Sequence, residues 1–574
     1  MTATFQDPIT FEVFKNAVVS LADEMGLVTL RTSHSANIKI SMDFSTAITD
    51  HEGRVLGQGN GMLLHLGSVP DALRLLLRKY EGRIYPGDVY ILNNSDEAMQ
   101  HLPDLYVLMP CYERDQLIGF AVCTSHMTDV GGRVRGSMST SSREIFEEGL
   151  QIPLLKLYDG GVVNETLVEM LRRNVRLPDL VLGDIEGQMA ACRAGERGLV
   201  QLTDRYTLPG LRHLGDELFA YTERVTRAAI HAIPDGTYEF EDWLDDDGVG
   251  GPPVRIKVTV HVSGDRIAVD WTGSSDQVPS AINLHMTNTR SATYGALLGA
   301  LGRDIPSNDG FYRCVDVTAP EGSVMNPRRP AAMAARFLTA ARMMDALLGA
   351  LAQALPDRVP AANDGGPDLV SFSGARGGAP FVVGMGSWGS WGGRPGLDGI
   401  DGISPLGANV APSPIEVVER EGVFRVEQVA FVPDTGGAGR WRGGLGIVAD
   451  YRVLVDEAEV QLRSSRREVR PYGLDGGAAG APSANVLNPG THERELPVCD
   501  RPTVRRGDVV RHVTAGGGGY GDPMARSPEA VLDDVVGGKM TLDHAKRQYG
   551  VVIDPVAHSI DETRTAEIRN QALG

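Results

Sequence analysis

Four side chains able to hold a metal ion or move a proton stand at the ends of two strongly apolar runs. His101 and Asp104 precede "LYVLMPC" (105–111), and His126 and Asp129 follow "LIGFAVCT" (117–124). Each run reads as a strand, and Glu113-Arg114-Asp115-Gln116 between them has the polarity of a hairpin turn. A turn centred between Arg114 and Asp115 sets Asp104 opposite Ser125 and Pro103 opposite His126. The open mouth of that hairpin brings His101, Asp104 and His126 together. Pro103 in "HLPD" excludes a helix interior, so His101 and Asp104 are read as loop groups converging on His126.

Two imidazoles and a carboxylate suit Zn²⁺, Mn²⁺ or Fe²⁺, with positions left for water or substrate. Asp129 would then orient a ligand histidine or act as a base. The plainer alternative is that Asp104 caps a turn and each histidine bonds a backbone carbonyl. Spacing alone leaves both open.

Other motifs carry less chemistry. "HVTAGGGGYGDP", around 516–519, lacks the Gly-Lys-Ser/Thr that holds phosphates and reads as a tight glycine turn packed against a near neighbour. "GSWGSWGGRPGLDGIDG" (386–402) reads as a substrate loop or as an irregular surface loop. Glu144, Glu147 and Glu148 in "REIFEEGLQIP" read as the solvated start of a helix. No GxSxG elbow appears, nor a cysteine with a local nucleophile signature.

A chain of 574 residues exceeds a single core, and 42% hydrophobic with 22% charged residues is an ordinary globular composition. Its 69 glycines imply many tight turns or close backbone approaches. The net charge of -19 argues against a nucleic-acid backbone as the main partner. Cys111, Cys123, Cys192, Cys314 and Cys499 form no CxxC pair and are expected to be reduced and mostly buried. "MTATFQDPITFEVF" lacks the cationic start and apolar core of a signal peptide, and no run of about 20 apolar residues is present, so a cytoplasmic protein is expected.

Apolar residues at helical spacing predict a long helix after Pro8 and another over 67–80, with a hairpin turning at Asp50-His51-Glu52-Gly53 between them. Residues 164–229 read as mostly helical, and alternating strands follow after Pro234. Helices return over 289–302 and 331–355, the second with an Ala/Met/Leu stripe typical of core packing. The expected fold class is α+β, a mixed multi-lobe protein without the regular βαβ rhythm of a Rossmann domain. The segments expected are 1–232, a metal-site lobe with a helical region; 233–360, a strand-and-helix middle lobe; 361–525, a glycine-rich β lobe; and 526–574, a helical tail.

Read together, "HLPD", "HMTDVGGRVRGS", "REIFEEGLQIPLLKLY", "AACRAGERGL", "VDWTGSSDQVPSAIN", "VTAPEGSVMNP" and "TAGGGGYGDPMARSPEAVLDDV" resemble the hydantoinase B/oxoprolinase family, in order and over nearly the whole chain. The resemblance implies a subunit of an ATP-dependent, hetero-oligomeric enzyme, a heterotetramer or larger. A hydantoinase A-type partner would bind ATP and phosphorylate the substrate, which accounts for the lack of a nucleotide motif here. It implies action on a cyclic amide such as a hydantoin, 5-oxoproline or a lactam. The alternatives are ketone carboxylation, as in acetone and acetophenone carboxylases, and a non-catalytic scaffold that shapes its partner's pocket. The resemblance also implies metal ligands at His101, Asp104 and His126. Three stretches depart from the family's pattern: Asn93-Asn94-Ser95 where Asn-Asp-Pro is usual, "ARFLT" after Ala334, and "SPLGANVAPSP" from Ser404. They imply a pocket more apolar than one built for a hydantoin.

Overall fold

The computed structural model describes residues 7–572 apart from 95–97, 99, 303, 367, 387 and 388. The chain falls into two compact units, each assembled from separate stretches. One comprises Met1–Thr237, Thr259–Arg336 and Gly407–Ala411, and the other Tyr238–Val258, Phe337–Leu406 and Pro412–Gly574. The mixed α+β class is as expected, but the units do not follow the four consecutive segments. Residues 259–336 of the middle segment belong with the N-terminal one, and the tail belongs with the glycine-rich lobe.

The first unit opens with α1 (Pro8–Thr32), where the Asp7 carboxylate accepts from the Ile9 amide and Pro8 takes the first helical position. There follow α2 (Ala36–Lys39), β1 (Phe44–Asp50), β2 (Val55–Gln58), α3 (Leu63–Leu66), α4 (Val69–Lys79), β3 (Val89–Leu92), β4 (Asp104–Glu113) and β5 (Gln116–His126). Next come β6 (Leu155–Asp159), β7 (Val162–Val163), α5 (Glu165–Asn174), α6 (Pro178–Tyr206) and α7 (Leu208–His231). The strands form one antiparallel sheet in the order β2-β1-β5-β4-β3-β6-β7. Both its faces are covered. Leu105, Val107, Met109, Ala121 and Cys123 join Val18, Leu21 and Met25 of α1 and Ile185 and Met189 of α6. On the opposite face Tyr106, Leu108, Phe120 and Val122 join Val69, Ala72, Leu73 and Leu76 of α4. Burial on two sides is why β4 and β5 read as continuous apolar runs, with no polar alternation.

The turn of this hairpin is where the sequence puts it, with Arg114 at φ 55° and Glu113 paired to Gln116. The register is not. A bulge between Cys111 and Tyr112 leaves Ile118 over, and from Cys111↔Gly119 onward the pairing is shifted by one residue. Asp104 therefore lies opposite His126, where Ser125 was expected. Directly opposed residues carry their side chains on the same face, so the bulge sets these two groups side by side.

The chain continues through β8 (Gly236–Leu244) and β9 (Val254–Ser263). β10 (Arg266–Asp270) pairs antiparallel with β9 and parallel with β11 (Val315–Thr318), and α8 (Met286–Leu301) and α9 (Asp309–Tyr312) lie between those two strands in sequence. The helix expected over 331–355 is α10 (Phe337–Ala352). Residues 331–336 stay outside it because their amides are bonded elsewhere, Ala335 to the Ala281 carbonyl at 2.8 Å among them.

In the second unit α10 is buried along most of its length, as its core stripe predicts, including Arg342 and Asp345. Those charges are paired: Arg466 bonds Asp345 at 2.6 Å and Asp242 at 2.9 Å, and Arg342 lies 3.5 Å from Asp242. The strands are β12 (Leu369–Arg376), β13 (Ala379–Gly386), β14 (Gly389–Ser390), β15 (Asp401–Ile403), β16 (Phe424–Phe431), β17 (Ile447–Val453) and β18 (Glu457–Arg463). After them come β19 (Ala484–Leu487), β20 (Arg494–Leu496), β21 (Cys499–Asp500), β22 (Thr503–Arg505) and β23 (Val509–Val513). One sheet runs β13-β12-β18-β21 and another β16-β17-β23-β19-β20, with Phe372, Phe424, Tyr451, Val460 and Val510 in their shared core. Among the described residues no helix is long and apolar enough to cross a membrane. The five cysteines are free thiols, and all but the half-buried Cys499 are buried.

The run 516–519 is not a turn. It is an extended segment threaded through neighbouring backbones. Gly517 donates to the Gly444 carbonyl at 2.9 Å, Gly518 to Ala362 at 2.8 Å and Gly519 to Ala478 at 2.9 Å. In return the Gly517 carbonyl accepts from Gly437, that of Gly518 from Gly393 and that of Gly519 from Leu474. These amides are spent on the protein itself, which removes the phosphate-cradle reading. Residues 389–402 of the tryptophan-glycine stretch are part of the same framework through Trp391 and Gly393, while 387 and 388 lie outside the described residues. A side chain has no room here: a Cβ on Gly518 would run into the Tyr472 carbonyl. We expect Gly518→Ala to destabilise the protein by about 1–3 kcal/mol or to prevent its folding. Gly299→Ala, on an exposed helical site with open space around it, should instead stabilise by up to about 1 kcal/mol. Chemical denaturation of the two variants beside the parent protein measures both.

Candidate metal centre

The mouth of the β4–β5 hairpin is held by backbone and amide contacts before any ion is considered. The Asp104 amide closes a turn onto the His101 carbonyl at 2.9 Å, with Leu102 and Pro103 at its centre. Met127 donates to the Pro103 carbonyl at 2.8 Å, and His126 to the Asp43 carbonyl at 3.0 Å. Behind the turn the Asn93 side chain donates to the carbonyls of Leu102 and Leu150 and accepts from the Ile152 amide. On the helical face Gln188 of α6 reaches the carbonyls of Leu105 and Cys123, clamping both strands next to the site.

Within this frame ligand atoms of His101, Asp104 and His126 all lie within 4.8 Å of one another, and the two imidazole rings are 4.9 Å apart. His101 Nδ1 is 3.0 Å from the Ala334 carbonyl oxygen. A carbonyl only accepts, so the ring proton is on Nδ1 and Nε2 keeps its lone pair. Nε2 faces Asp104 Oδ1 at 3.3 Å, and His65 Nε2 faces the same oxygen at 3.4 Å. Burial, and then the Arg336 guanidinium, push the His101 imidazolium down to about 3, so the ring is neutral. A neutral nitrogen lone pair and a carboxylate oxygen confront each other without a proton between them, an arrangement a cation would satisfy. Nitrogen and oxygen donors of this kind fit Zn²⁺, Mn²⁺ or Fe²⁺.

Asp104 has no solvent exposure. Burial works against its ionisation, yet the positive charge of Arg336 favours the ionised form, and the carboxyl is held well below the usual range. Arg336, buried as well, binds Oδ2 directly and carries the one permanent positive charge among these groups. Asp43 completes the set. Its Oδ1 is shut away without a hydrogen-bond partner, and its carboxyl is pushed up by burial, with His65 opposing and Asp104 adding.

The expected ligand trio is thus brought together, whereas Asp129 is not brought to it. Asp129 is buried with both oxygens occupied, Oδ1 by the amides of Gly131 and Arg176 and Oδ2 by the Gly136 amide and the Arg176 guanidinium at 2.9 Å. A carboxylate committed to N–H donors in this way anchors the 129–136 loop and has no lone pair to spare for a substrate proton. Glu148 departs from expectation in the other direction. It is no solvated helix residue but is 2% exposed, and Oε1 accepts from the amides of Met333 and Ala334 at 2.7 Å each. Burial raises its carboxyl to about 8 against the pull of those two amides.

Asp43, His65 and Arg336 escaped the reading of the sequence, and Glu148 is read there as solvated. Nothing in their local spacing links them to "HLPD", although Arg336 lies in "ARFLT", one of the departures expected to line the pocket. Another departure, in "SPLGANVAPSP", joins the first unit near Asp43: Ala411 donates to the Ser41 carbonyl at 3.0 Å and Asn409 to Asn60. In the third, the Asn94 side chain bonds Gln151 at 2.5 Å, and Ser95 lies outside the described residues.

Comparison with known proteins agrees with the resemblance read from the motifs. The model of the hydantoinase B/oxoprolinase family matches residues 7–523. The B component of a putative D-/L-hydantoinase from Pseudomonas sp. (strain NS671) is 34% identical, with 98% of each chain covered. The crystal structure of the ATP-dependent caprolactamase from Pseudomonas jessenii superposes with a TM-score of 0.92 at 30% identity, over 99% of this chain and 100% of that one. A nucleotide-free acetone carboxylase shares the fold with a TM-score of 0.91 at 19% identity, over 99% of this chain and 83% of that one.

Two outcomes follow from the electrostatics. Arg336→Leu strips a buried carboxylate of its partner and should cost about 3–5 kcal/mol in denaturant unfolding of the metal-free protein. Adding Asp104→Asn to that variant should recover part of the loss, which a double-mutant cycle reads directly. For Glu148 the folded-state value of about 8 lies above the ordinary 4.5, so the native state binds the extra proton between them. Its contribution to stability should be intact near pH 4.5 and decline as pH rises toward about 8, by an amount of the order of a few kcal/mol. Unfolding curves across that window should show this slope in the parent protein and a flatter one in Glu148→Gln.

Proposed function

Because the chain belongs to the hydantoinase B/oxoprolinase family, we propose that it is the metal-carrying subunit of an ATP-dependent enzyme that opens a cyclic amide of the hydantoin, 5-oxoproline or lactam class. The observation that carries the reading is the convergence of His101, Asp104 and His126 at the hairpin mouth, with His101 Nε2 3.3 Å from Asp104 Oδ1. A hydantoinase A-type partner would bind ATP and transfer its terminal phosphoryl group to the amide oxygen. That step turns a poor electrophile into an imidate-like one with phosphate as leaving group. Attack of water at the same carbon and cleavage of the ring C–N bond, with a proton passing to the departing nitrogen, then give an acyl phosphate, and a second water releases phosphate to leave the open-chain amino acid. A divalent cation held by His101, Asp104 and His126 would supply Lewis acidity for the water step.

The chain's own residues prepare that chemistry. His101 is kept neutral by burial and by the Arg336 guanidinium, so its Nε2 offers a lone pair. Arg336 holds Asp104 Oδ2 and leaves Oδ1 toward the imidazoles. His65, its Nδ1 near Ser45 Oγ at 3.3 Å, presents Nε2 to that same oxygen at 3.4 Å. The enclosed setting strengthens each of these interactions relative to water.

The test is metal analysis of the purified complex together with ATP turnover on a panel of lactams, hydantoins and ketones, with and without bicarbonate. We expect a divalent metal near one equivalent per chain and ATP-dependent ring opening. His126→Ala should lose both while the complex still assembles. Activity surviving in that variant would point to a scaffold role, and a product requiring bicarbonate would point to carboxylation. Ring opening by the isolated chain without ATP would sink the proposal.

A further inference from the structure

His101 keeps a lone pair toward Asp104 only while its proton stays on Nδ1, and one atom secures that: the Ala334 carbonyl oxygen. Ala334 lies in neither helix nor strand. The two peptide units that precede this carbonyl are pinned by Glu148, 186 residues from Ala334 in the chain, whose Oε1 accepts the consecutive amides of Met333 and Ala334 at 2.7 Å each. The next amide, Ala335, is taken by the Ala281 carbonyl at 2.8 Å. Two further links run through the same segment. Leu150 donates to the Val130 carbonyl at 2.8 Å, and Asn93 joins the Leu150 carbonyl to that of Leu102, the neighbour of His101. Residues 148–152 therefore hold both the loop that carries His101 and the carbonyl that His101 meets.

Sinking a carboxyl this deep opposes folding unless its contacts compensate, and Oε2 finds no hydrogen-bond partner. What Glu148 gains is the geometry of the 333–334 backbone. We propose that Glu148 is a positioning residue of the candidate metal centre: acting through the Ala334 peptide, it fixes the Nδ1-protonated tautomer and the placement of His101, and so sets the affinity for a divalent cation. The affinity half rests on the metal-centre reading given above, and the tautomer half does not. The role needs one oxygen that accepts two N–H groups. Glutamine supplies it, aspartate reaches less far, and leucine lacks it.

The experiment uses the full-length chain as Glu148→Gln, Glu148→Asp and Glu148→Leu. In metal-free protein labelled with ¹⁵N-histidine, long-range imidazole spectra report the tautomer, and the His101 signals are identified by their loss in His101→Gln. Glu148→Gln should keep the Nδ1-protonated form, whereas Glu148→Leu should lose or mix it. Titration with Zn²⁺ against a chromophoric chelator should then show affinity lowered about 10–100-fold in Glu148→Leu, the range for removing an outer support of a ligand histidine. Glu148→Gln should stay within about threefold of the parent, well under that range. If Glu148→Leu does not fold, Glu148→Asp carries the test, with a partial shift of tautomer and a smaller loss of affinity expected. An unchanged tautomer in Glu148→Leu, or in Glu148→Asp if only that variant folds, overturns the proposal, as does equal damage in Glu148→Gln and Glu148→Leu. A parent protein that binds no Zn²⁺ yet shows the tautomer change defeats the metal reading and the affinity half, and leaves the positioning role standing.

Discussion

A carboxylate as deeply buried as Asp104 is the constraint around which the first unit is arranged. An ion without water must be compensated on every side or it opposes folding. Here three groups approach it. Arg336 takes one oxygen, and the nitrogens of His65 and His101 approach the other. The guanidinium satisfies the charge, but the His101 nitrogen does not, since its proton is turned away toward Ala334. That remaining mismatch is the one that the proposed cation would satisfy.

The surrounding architecture makes such an arrangement affordable. Helices cover both faces of the sheet, so β4 and β5 are anchored by apolar burial along their whole length, and the polar groups need only be placed at one end. The bulge beside the hairpin turn then selects the face and the opposing residue, because a one-residue offset re-aims every side chain beyond it. A small irregularity at Cys111 and Tyr112 thus decides what meets what at Asp104, at the far end of the hairpin. The second unit meets a different constraint. Its glycine run packs backbone directly on backbone, and exchange of amide bonds between segments does there what side-chain packing does elsewhere.

Much of the framework was legible from periodicity. The long helices, the two hairpins of the N-terminal half, the helical region after Asn164 and the buried stripe of α10 all announce themselves, because apolar spacing reports directly on which faces are buried. The trio His101, Asp104 and His126 was legible for a related reason: a hairpin is a local structure, and its mouth can be located from its turn. The register failed by one residue because a bulge depends on packing against both neighbouring strands. Asp129 and Glu148 depart from the reading of the sequence for a similar reason. A carboxylate's duty is set by the donors that surround it, and those donors, Arg176 for one and the 333–334 amides for the other, come from distant parts of the chain.

The sequence by itself determined which residues could bind, that two of them flank a proline turn, and that apolar strands would carry them to one place. Those are properties of side-chain chemistry and of local backbone geometry, and they survive without knowledge of the fold. Only the tertiary structure decided that Asp104 faces His126, that Arg336, His65 and Asp43 join them, and that Glu148 bonds the amides beside the carbonyl which His101 meets. Each of these depends on contacts between segments tens to hundreds of residues apart, and no spacing along the chain encodes which distant donor will end beside which buried acceptor.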